Sequence, residues 1–345
     1  MYKVCENVEI NRVCKLSKGE FEDEYLSKGE PIIIENAIDD WPAGKWTLDS
    51  LSERVGHKTC NVRWKTNTEE YKNGKQYFIR QTTLKEYISD IKAMNAKAKS
   101  SYMAVQNMKQ TFPELLDDIK IPEYVGKLHG GPFMWIALQN HYEYCHFDPD
   151  DGLLIILNGQ KHVRLYGCDI DSMYPNPKGT KGRTVQSGVN FDDPDWNMHP
   201  NFCNAKCRYG TLNSGDMLFI PAFWWHQVTS TQTTISVNMF FGDAGENAFI
   251  AKVMEPPRWQ AFQYWLLNVV EQNRNCDSFN RMLSRLPEAL VNFLKNQWYN
   301  TPDDAQVARL QTVVMEYLNL SELPMEPSSG RNPPCLKIRG LVWRS

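Results

Sequence analysis

The chain has 345 residues, 42% of them hydrophobic and 12% aromatic, and a formal net charge of −3. A chain this long can bury a large core, as one big domain or two smaller ones. It holds no apolar run near the roughly 18 residues of a membrane-spanning helix, and its charge balance supplies no overall basic field for nucleic acid, although a local patch would suffice. Over residues 1–125 the pattern mixes short strands with helices. Ile32, Ile33 and Ile34 read as a buried strand. Thr47 is an N-cap for a helix opening at Leu48. Thr83 with Glu86 forms a capping-box pattern, and Leu84, Tyr87, Ile88 and Ile91 follow at helical spacing. Such helices flank one face of a sheet or barrel.

Residues 126–242 are rich in β signals. The central feature is His146-Phe147-Asp148, answered by His226 far downstream. An H-x-D pair on a strand puts two metal ligands on one side, because side chains alternate faces. Two imidazoles and one carboxylate leave open positions on an octahedral ion, the arrangement of non-haem Fe(II) oxygenases. After Asp148 come the apolar run Gly152–Leu157, the pair Asn158-Gly159 and a second β-rich run, Lys161–Tyr166; Asn-Gly between such runs is a hairpin signal. Ser214-Gly215, a strand, the break at Pro221 and another strand then carry His226. Lys161 shares a face with Val163 and Leu165, which predicts that it points inward, with His162 and Arg164 outside. In the last strand Ile235, Val237, Met239 and Phe241 form an apolar row with Asn238 opposite. Helices covering that row would turn Asn238 inward; otherwise Asn238 lies outside. The insert at 167–207, rich in Pro, Gly, Asn and Asp, is long enough to be functional. It reads as a wall or lid over a groove, with the Phe191–Phe202 stretch nearest the metal.

Residues 243–320 switch to helical spacing. Trp259, Phe262, Leu266 and Val269 make one stripe, and Val307, Leu310, Val314 and Tyr317 another. Met282, Leu283, Leu286, Leu290 and Phe293 continue it around Pro287. Residues 321–345 read as a loose tail, Pro, Ser and Gly rich from Pro324 to Pro334, with a basic end at Lys337, Arg339 and Arg344. Nine cysteines without a disulfide framework, and an opening stretch without a signal peptide, fit the cytoplasm or nucleus.

Residues 30–242 resemble the JmjC-domain hydroxylases of the cupin superfamily. The opening phrase from Gly29 through Pro42, with Lys45, Trp46 and Thr47, is similar to theirs. Ser187 to Phe202 resembles the branch that hydroxylates an asparagine of hypoxia-inducible factor. Phe112 to Tyr124 and Lys178 to Lys181 are closer to the tRNA wybutosine hydroxylases. The resemblance implies an α+β fold with a double-stranded β-helix (jelly-roll) core flanked by helices. It also implies a C-terminal helical element used for dimerisation. It makes His146, Asp148 and His226 ligands of Fe(II), with 2-oxoglutarate as co-substrate and O2 as oxidant. It assigns Lys161, thirteen residues after Asp148, to the distal carboxylate of 2-oxoglutarate. Tyr102 joins that carboxylate and Asn238 stands near its metal end. Two positions depart from the asparaginyl hydroxylases: Glu143 replaces a threonine that contacts 2-oxoglutarate, and Gly152 replaces an asparagine. On an unbroken strand Glu143 points away from His146.

Blander readings compete at each position. His141-Tyr142-Glu143 is a rival H-x-E pair, but it lacks the spacing to a lysine. Cys203 and Cys207 read as free thiols, since no second pair follows at zinc-site distance. Trp224 and Trp225 read as packing residues, and Gln186 as either a solvated loop residue or a substrate contact. Three functions stay open. The leading one is hydroxylation of a protein side chain. A tRNA-base hydroxylase, marked by a basic groove at Lys178, Lys181 and Arg183, is the second. A non-catalytic binding module that has lost 2-oxoglutarate is the third. Histone demethylation ranks lower because no chromatin-reader domain is visible.

Overall fold

The computed structural model describes residues 7–65, 71–72, 77–126, 128–176, 184–241, 258, 260–262, 264–265, 337–338 and 341–342. The C-terminal stripes from Leu266 onward, Trp259 and the basic residues Lys178, Lys181 and Arg183 lie outside these residues. The chain forms two compact units: 1–180 with 184–243, and 181–183 with 244–345. The N-terminal part and the β-rich part therefore belong to one unit. In the second unit the rings of Phe262 and Trp265 stand 5.9 Å apart, and Lys337–Ile338 pairs with Leu341–Val342 in a short ladder where the sequence reads as a loose tail. Among the described residues no helix is long and apolar enough to cross a membrane.

The strands of the first unit, in chain order, are β1 (Asn7–Glu9), β2 (Arg12–Val13), β3 (Ile32–Ile34), β4 (Thr59–Trp64), β5 (Phe78–Thr83), β6 (Ser101–Asn107), β7 (Leu128–Ala137), β8 (Tyr142–Phe147), β9 (Asp151–Asn158), β10 (Gln160–Tyr166), β11 (Val185–Gln186), β12 (Cys207–Asn213), β13 (Met217–Ile220), β14 (Trp225–Ser230) and β15 (Thr234–Phe241). They form two sheets. One runs β1-β12-β10-β14-β8-β11 and the other β2-β3-β13-β9-β15-β7-β6-β4-β5. From β7 to β10, and again from β13 to β15, successive strands alternate between the sheets, which is the winding of a double-stranded β-helix. The Asn158-Gly159 corner is part of this winding. It does not close a hairpin: β9 pairs with β13 and β15, whereas β10 pairs with β12 and β14. A turn forms at Asn158-Gly159, but the expected hairpin does not, because the chain uses the turn to change sheets.

Helices cover the outer face of the larger sheet. Helix Leu48–Val55 starts at a capping box of Thr47 and Ser50, and helix Leu84–Lys92 at one of Thr83 and Glu86. Their buried residues Leu51, Val55, Leu84, Tyr87, Ile88 and Ile91 pack with Leu153, Ile155, Leu157, Ile235, Val237, Met239 and Phe241 in one apolar cluster. Fully burying a side chain of this kind contributes roughly 1.5–3 kcal/mol. The Tyr87 hydroxyl donates to the Ile136 carbonyl at 2.9 Å and accepts from the Met103 amide at 3.1 Å, which ties helix to sheet. The apolar row of β15 thus faces helices. By strand alternation Ser236, Asn238 and Phe240 turn into the barrel, with Leu154, Ile156 and Trp135 on neighbouring strands. The alternation left open for Asn238 is resolved inward.

The insert covers the outer face of the smaller sheet. The Arg164 guanidinium donates to Gln227 Oε1 (2.9 Å), the Phe191 carbonyl (2.7 Å) and Asp192 Oδ1 (2.6 Å). Tyr166, Phe191 and Phe202 form an aromatic group there, and the Phe191 amide donates to the Tyr142 hydroxyl. This corrects the expectation that Phe191–Phe202 lies nearest the metal. The insert approaches the ligand residues instead at β11, where Gln186 is the register partner of His146. Cys203 and Cys207 are free thiols.

Gly159 has φ +84°, and a Cβ there would meet the Thr233 carbonyl oxygen at 2.1 Å. Gly159→Ala is expected to destabilise the first unit by ~1–3 kcal/mol, from the strained conformation and the backbone clash. Urea denaturation of parent and variant measures it.

Candidate metal centre

Strands β8 and β14 pair antiparallel with His146 opposite His226, and the ring centroids lie 4.2 Å apart. Asp148 follows β8. His146 Nε2 stands 3.9 Å and His226 Nε2 3.7 Å from Asp148 Oδ2. All three ligand atoms lie within 4.8 Å of one another, and no other such His/Cys/Asp/Glu group occurs among the described residues. Each imidazole has its other nitrogen engaged in the same way. His146 Nδ1 is 3.0 Å from the Tyr144 carbonyl and His226 Nδ1 is 3.0 Å from the Trp224 carbonyl. A carbonyl only accepts, so Nδ1 carries the proton and Nε2 keeps its lone pair toward Asp148. Burial and the neighbouring His146 hold His226 neutral, with its pKa pushed down to about 3. Neutral imidazoles are the form that binds a metal.

The loops that carry these ligands are latched together. The Phe223 amide donates to the Asp148 carbonyl at 2.8 Å, and the Ala222 amide to Asp151 Oδ1 at 2.9 Å. The turn before His226 is therefore held against the residues around Asp148. Trp225 is fully buried, with its indole N–H on the Asp169 carbonyl, a packing role in keeping with the sequence reading.

Asp148, His226, Asn238, Gly152, Leu154 and Phe240 line one cavity. A Cβ on Gly152 would touch the Phe240 ring at 3.5 Å, an ordinary contact. The missing side chain therefore leaves room beside the ligand residues. Lys161 is 3% exposed and on the inward face, as its alternation predicts. Its ammonium has no hydrogen-bond or ion-pair partner among the described residues, and burial pushes its pKa down to about 8. Three inward polar atoms, Trp135 Nε1, Ser236 Oγ and Asn238 Oδ1, are buried without a hydrogen-bond partner among the described residues. A buried cation facing unsatisfied donors and an acceptor leaves an unmet need for a polar, anionic ligand. Tyr102 is buried, its ring 3.8 Å from His141 and 5.6 Å from Trp135.

Glu143 does not point away from His146. Between His226/His146 and Val228/Glu143, β8 spends three residues against two on β14. This bulge restores Glu143 to the inward face, because one extra residue reverses the alternation. The repulsion that an inward carboxylate threatens is met by pairing. Arg63 Nη1 lies 2.6 Å from Glu143 Oε1, and the Tyr71 hydroxyl and His141 Nε2 reach Oε2 at 2.5 and 3.2 Å. The rival H-x-E pair is thus an internal hydrogen bond. Despite burial, Arg63 and His141 hold the Glu143 carboxyl down at about 2. Arg63, Tyr71, Trp135, Ser236 and Asp151 were not singled out from sequence. A signal existed for Arg63: buried Cys60 and Val62 alternate with it on β4.

Over residues 18–247 the chain matches the family described as a cupin-like domain. It is 27% identical over 228 residues to lysine-specific demethylase 8 of Xenopus tropicalis, covering 64% of this chain and 50% of that protein. It is 28% identical over 244 residues to the Danio rerio protein of the same name, covering 68% and 58%. It is 27% identical over 255 residues to tRNA wybutosine-synthesizing protein 5 of Homo sapiens, covering 68% and 78%. The chain thus spans about half the length of the demethylase relatives and most of the wybutosine relative.

Burial drives the His141 pKa down to about 4, so the folded chain keeps this ring neutral. The unfolded chain takes up the proton near the ordinary value of about 6.5, so stability is present above 6.5 and is lost as pH falls toward 4. His141→Gln is expected to flatten this decline by up to about 1.4 kcal/mol per pH unit, read from urea unfolding between pH 7 and 4.

Proposed function

This chain belongs to the cupin-like, JmjC-type domain family, and from that premise we propose that it is an Fe(II)- and 2-oxoglutarate-dependent oxygenase. It hydroxylates a protein side chain in the cytoplasm or nucleus, with succinate and CO2 as co-products. The observation that carries the reading is the convergence of His146, Asp148 and His226 within 4.8 Å, each imidazole presenting Nε2. Two imidazoles and a carboxylate with the remaining positions open suit Fe(II). Bound there, iron supplies the activation of O2 coupled to decarboxylation of the 2-oxo acid, chemistry that side chains lack.

The chain's own residues bind and orient. Lys161 offers a desolvated ammonium to the distal carboxylate, with Tyr102, Trp135 Nε1 and Ser236 Oγ as further donors. Asn238 faces the metal end from the cavity it shares with Asp148 and His226. Leu154, Ile220 and Phe240 line that cavity with apolar surface and exclude water. Gln186, buried beside His146, stands where the insert meets the reaction centre.

The names of the demethylase relatives support a protein side chain as substrate, a methylated lysine included, since oxidation of an N-methyl and of a side-chain carbon both begin at a C–H bond. The wybutosine relative, 78% of which is matched, supports a tRNA base as the second reading.

His146→Ala or His226→Ala is expected to lower succinate formation more than about 100-fold, since one ligand of three is lost. Retained turnover in a metal-controlled double variant would sink the ligand assignment. Lys161→Ala is expected to weaken 2-oxoglutarate binding by ~2–5 kcal/mol, measured by titration. Mass spectrometry of protein and tRNA pools, with and without active chain, then looks for the gain of one oxygen. Metal binding without succinate formation would leave a binding module in place of an enzyme.

A further inference from the structure

Three cations and one carboxylate, Arg63, Lys65, Lys161 and Glu143, gather at one end of the barrel. Lys161 is the register partner of Ser230, whose amide donates to the His141 carbonyl. His141 and Tyr71 bond the Glu143 carboxylate that Arg63 pairs with, and Lys65 lies over Tyr71. Each cation is held differently. Arg63 is ion-paired with Glu143, its guanidinium over the rings of Tyr77 (4.6 Å) and Trp135 (5.7 Å). The Lys65 ammonium sits 4.8 Å from the Tyr71 ring centroid, a cation–π contact. Lys161 has neither kind of partner among the described residues. Both Glu143 oxygens are engaged, Oε1 by Arg63 and Oε2 by Tyr71 and His141.

Arg63 shares its face of the sheet with Tyr102, its register partner on β6. Without Glu143 it would be a second unpaired cation on the wall of the pocket. A guanidinium is a better carboxylate fork than an ammonium, so it would compete for any anion that entered.

We propose that Glu143 is a specificity-determining residue of the co-substrate pocket: by holding Arg63 in an internal ion pair it leaves Lys161 as the cation offered to a 2-oxo acid, so the pocket accepts a single distal carboxylate and rejects more highly charged polycarboxylates. This rests on the co-substrate reading above. It makes Glu143 and Arg63 opposite in sign. Removing the carboxylate frees a guanidinium. Removing the guanidinium leaves a negative charge facing the ligand. Removing both returns the pocket to its original net charge.

The test uses calorimetric titration of 2-oxoglutarate and of citrate into the full chain loaded with Mn(II), without oxygen, so that binding is read apart from turnover. E143Q is expected to bind 2-oxoglutarate about tenfold tighter than the parent and to acquire citrate binding. R63M is expected to bind 2-oxoglutarate about tenfold more weakly, and R63M/E143Q to return to within about threefold of the parent. An E143Q protein with parental circular dichroism and Mn(II) affinity but weaker 2-oxoglutarate binding overturns the proposal. Should E143Q not fold, the comparison of R63M with R63M/E143Q decides: no recovery in the double variant also overturns it. A parent that binds Mn(II) but no 2-oxoglutarate overturns the co-substrate reading and this inference together. Parental binding with the variants in the wrong order overturns this inference alone.

Discussion

The pairing of β8 with β14 is the constraint on which the site depends. His146 and His226 are 80 residues apart in the chain, yet the antiparallel register sets them opposite each other. Backbone hydrogen bonds determine that register, so the distance between the imidazoles follows from the sheet and not from side-chain contacts. The latch from the 221–224 turn to Asp148 and Asp151 adds the third ligand to the same rigid frame. Ligand geometry supported on strands is more exact than geometry supported on loops.

The two faces of the larger sheet divide structure from chemistry. Its outer face carries the apolar rows that pack under the helices in one cluster. Its inner face holds Trp135, Ser236 and Asn238 among apolar neighbours. Burying polar atoms without partners is unfavourable by roughly 1–3 kcal/mol each. The apolar layer outside offsets that loss, which lets the barrel interior keep unsatisfied groups ready for a ligand.

Charge is arranged on the same principle. One β-bulge turns Glu143 inward, and Arg63, Tyr71 and His141 saturate it, so the pocket holds an ionised carboxylate without presenting it to an incoming anion. A buried ion pair of this kind is a weak source of stability, because desolvation cancels most of the attraction. Its consequence is for the charge that Lys161 meets.

Much of this was legible in the order of residues. The H-x-D pair, the distant histidine and the alternation around Lys161 follow from a period of two, which any strand obeys. The N-cap at Thr47 and the capping box at Thr83 are local chemistry, and each forms as its residues dictate. What a period cannot state is which face of a strand is inside, whether a turn joins paired strands, or where an extra residue breaks the count. Tertiary structure decided those three: helices over β15 turned Asn238 inward, the Asn158-Gly159 corner carried the chain between sheets, and the bulge in β8 reversed Glu143. Each depends on strands distant in sequence. Local residues therefore specify the pattern of a strand, while its partners determine what that pattern faces.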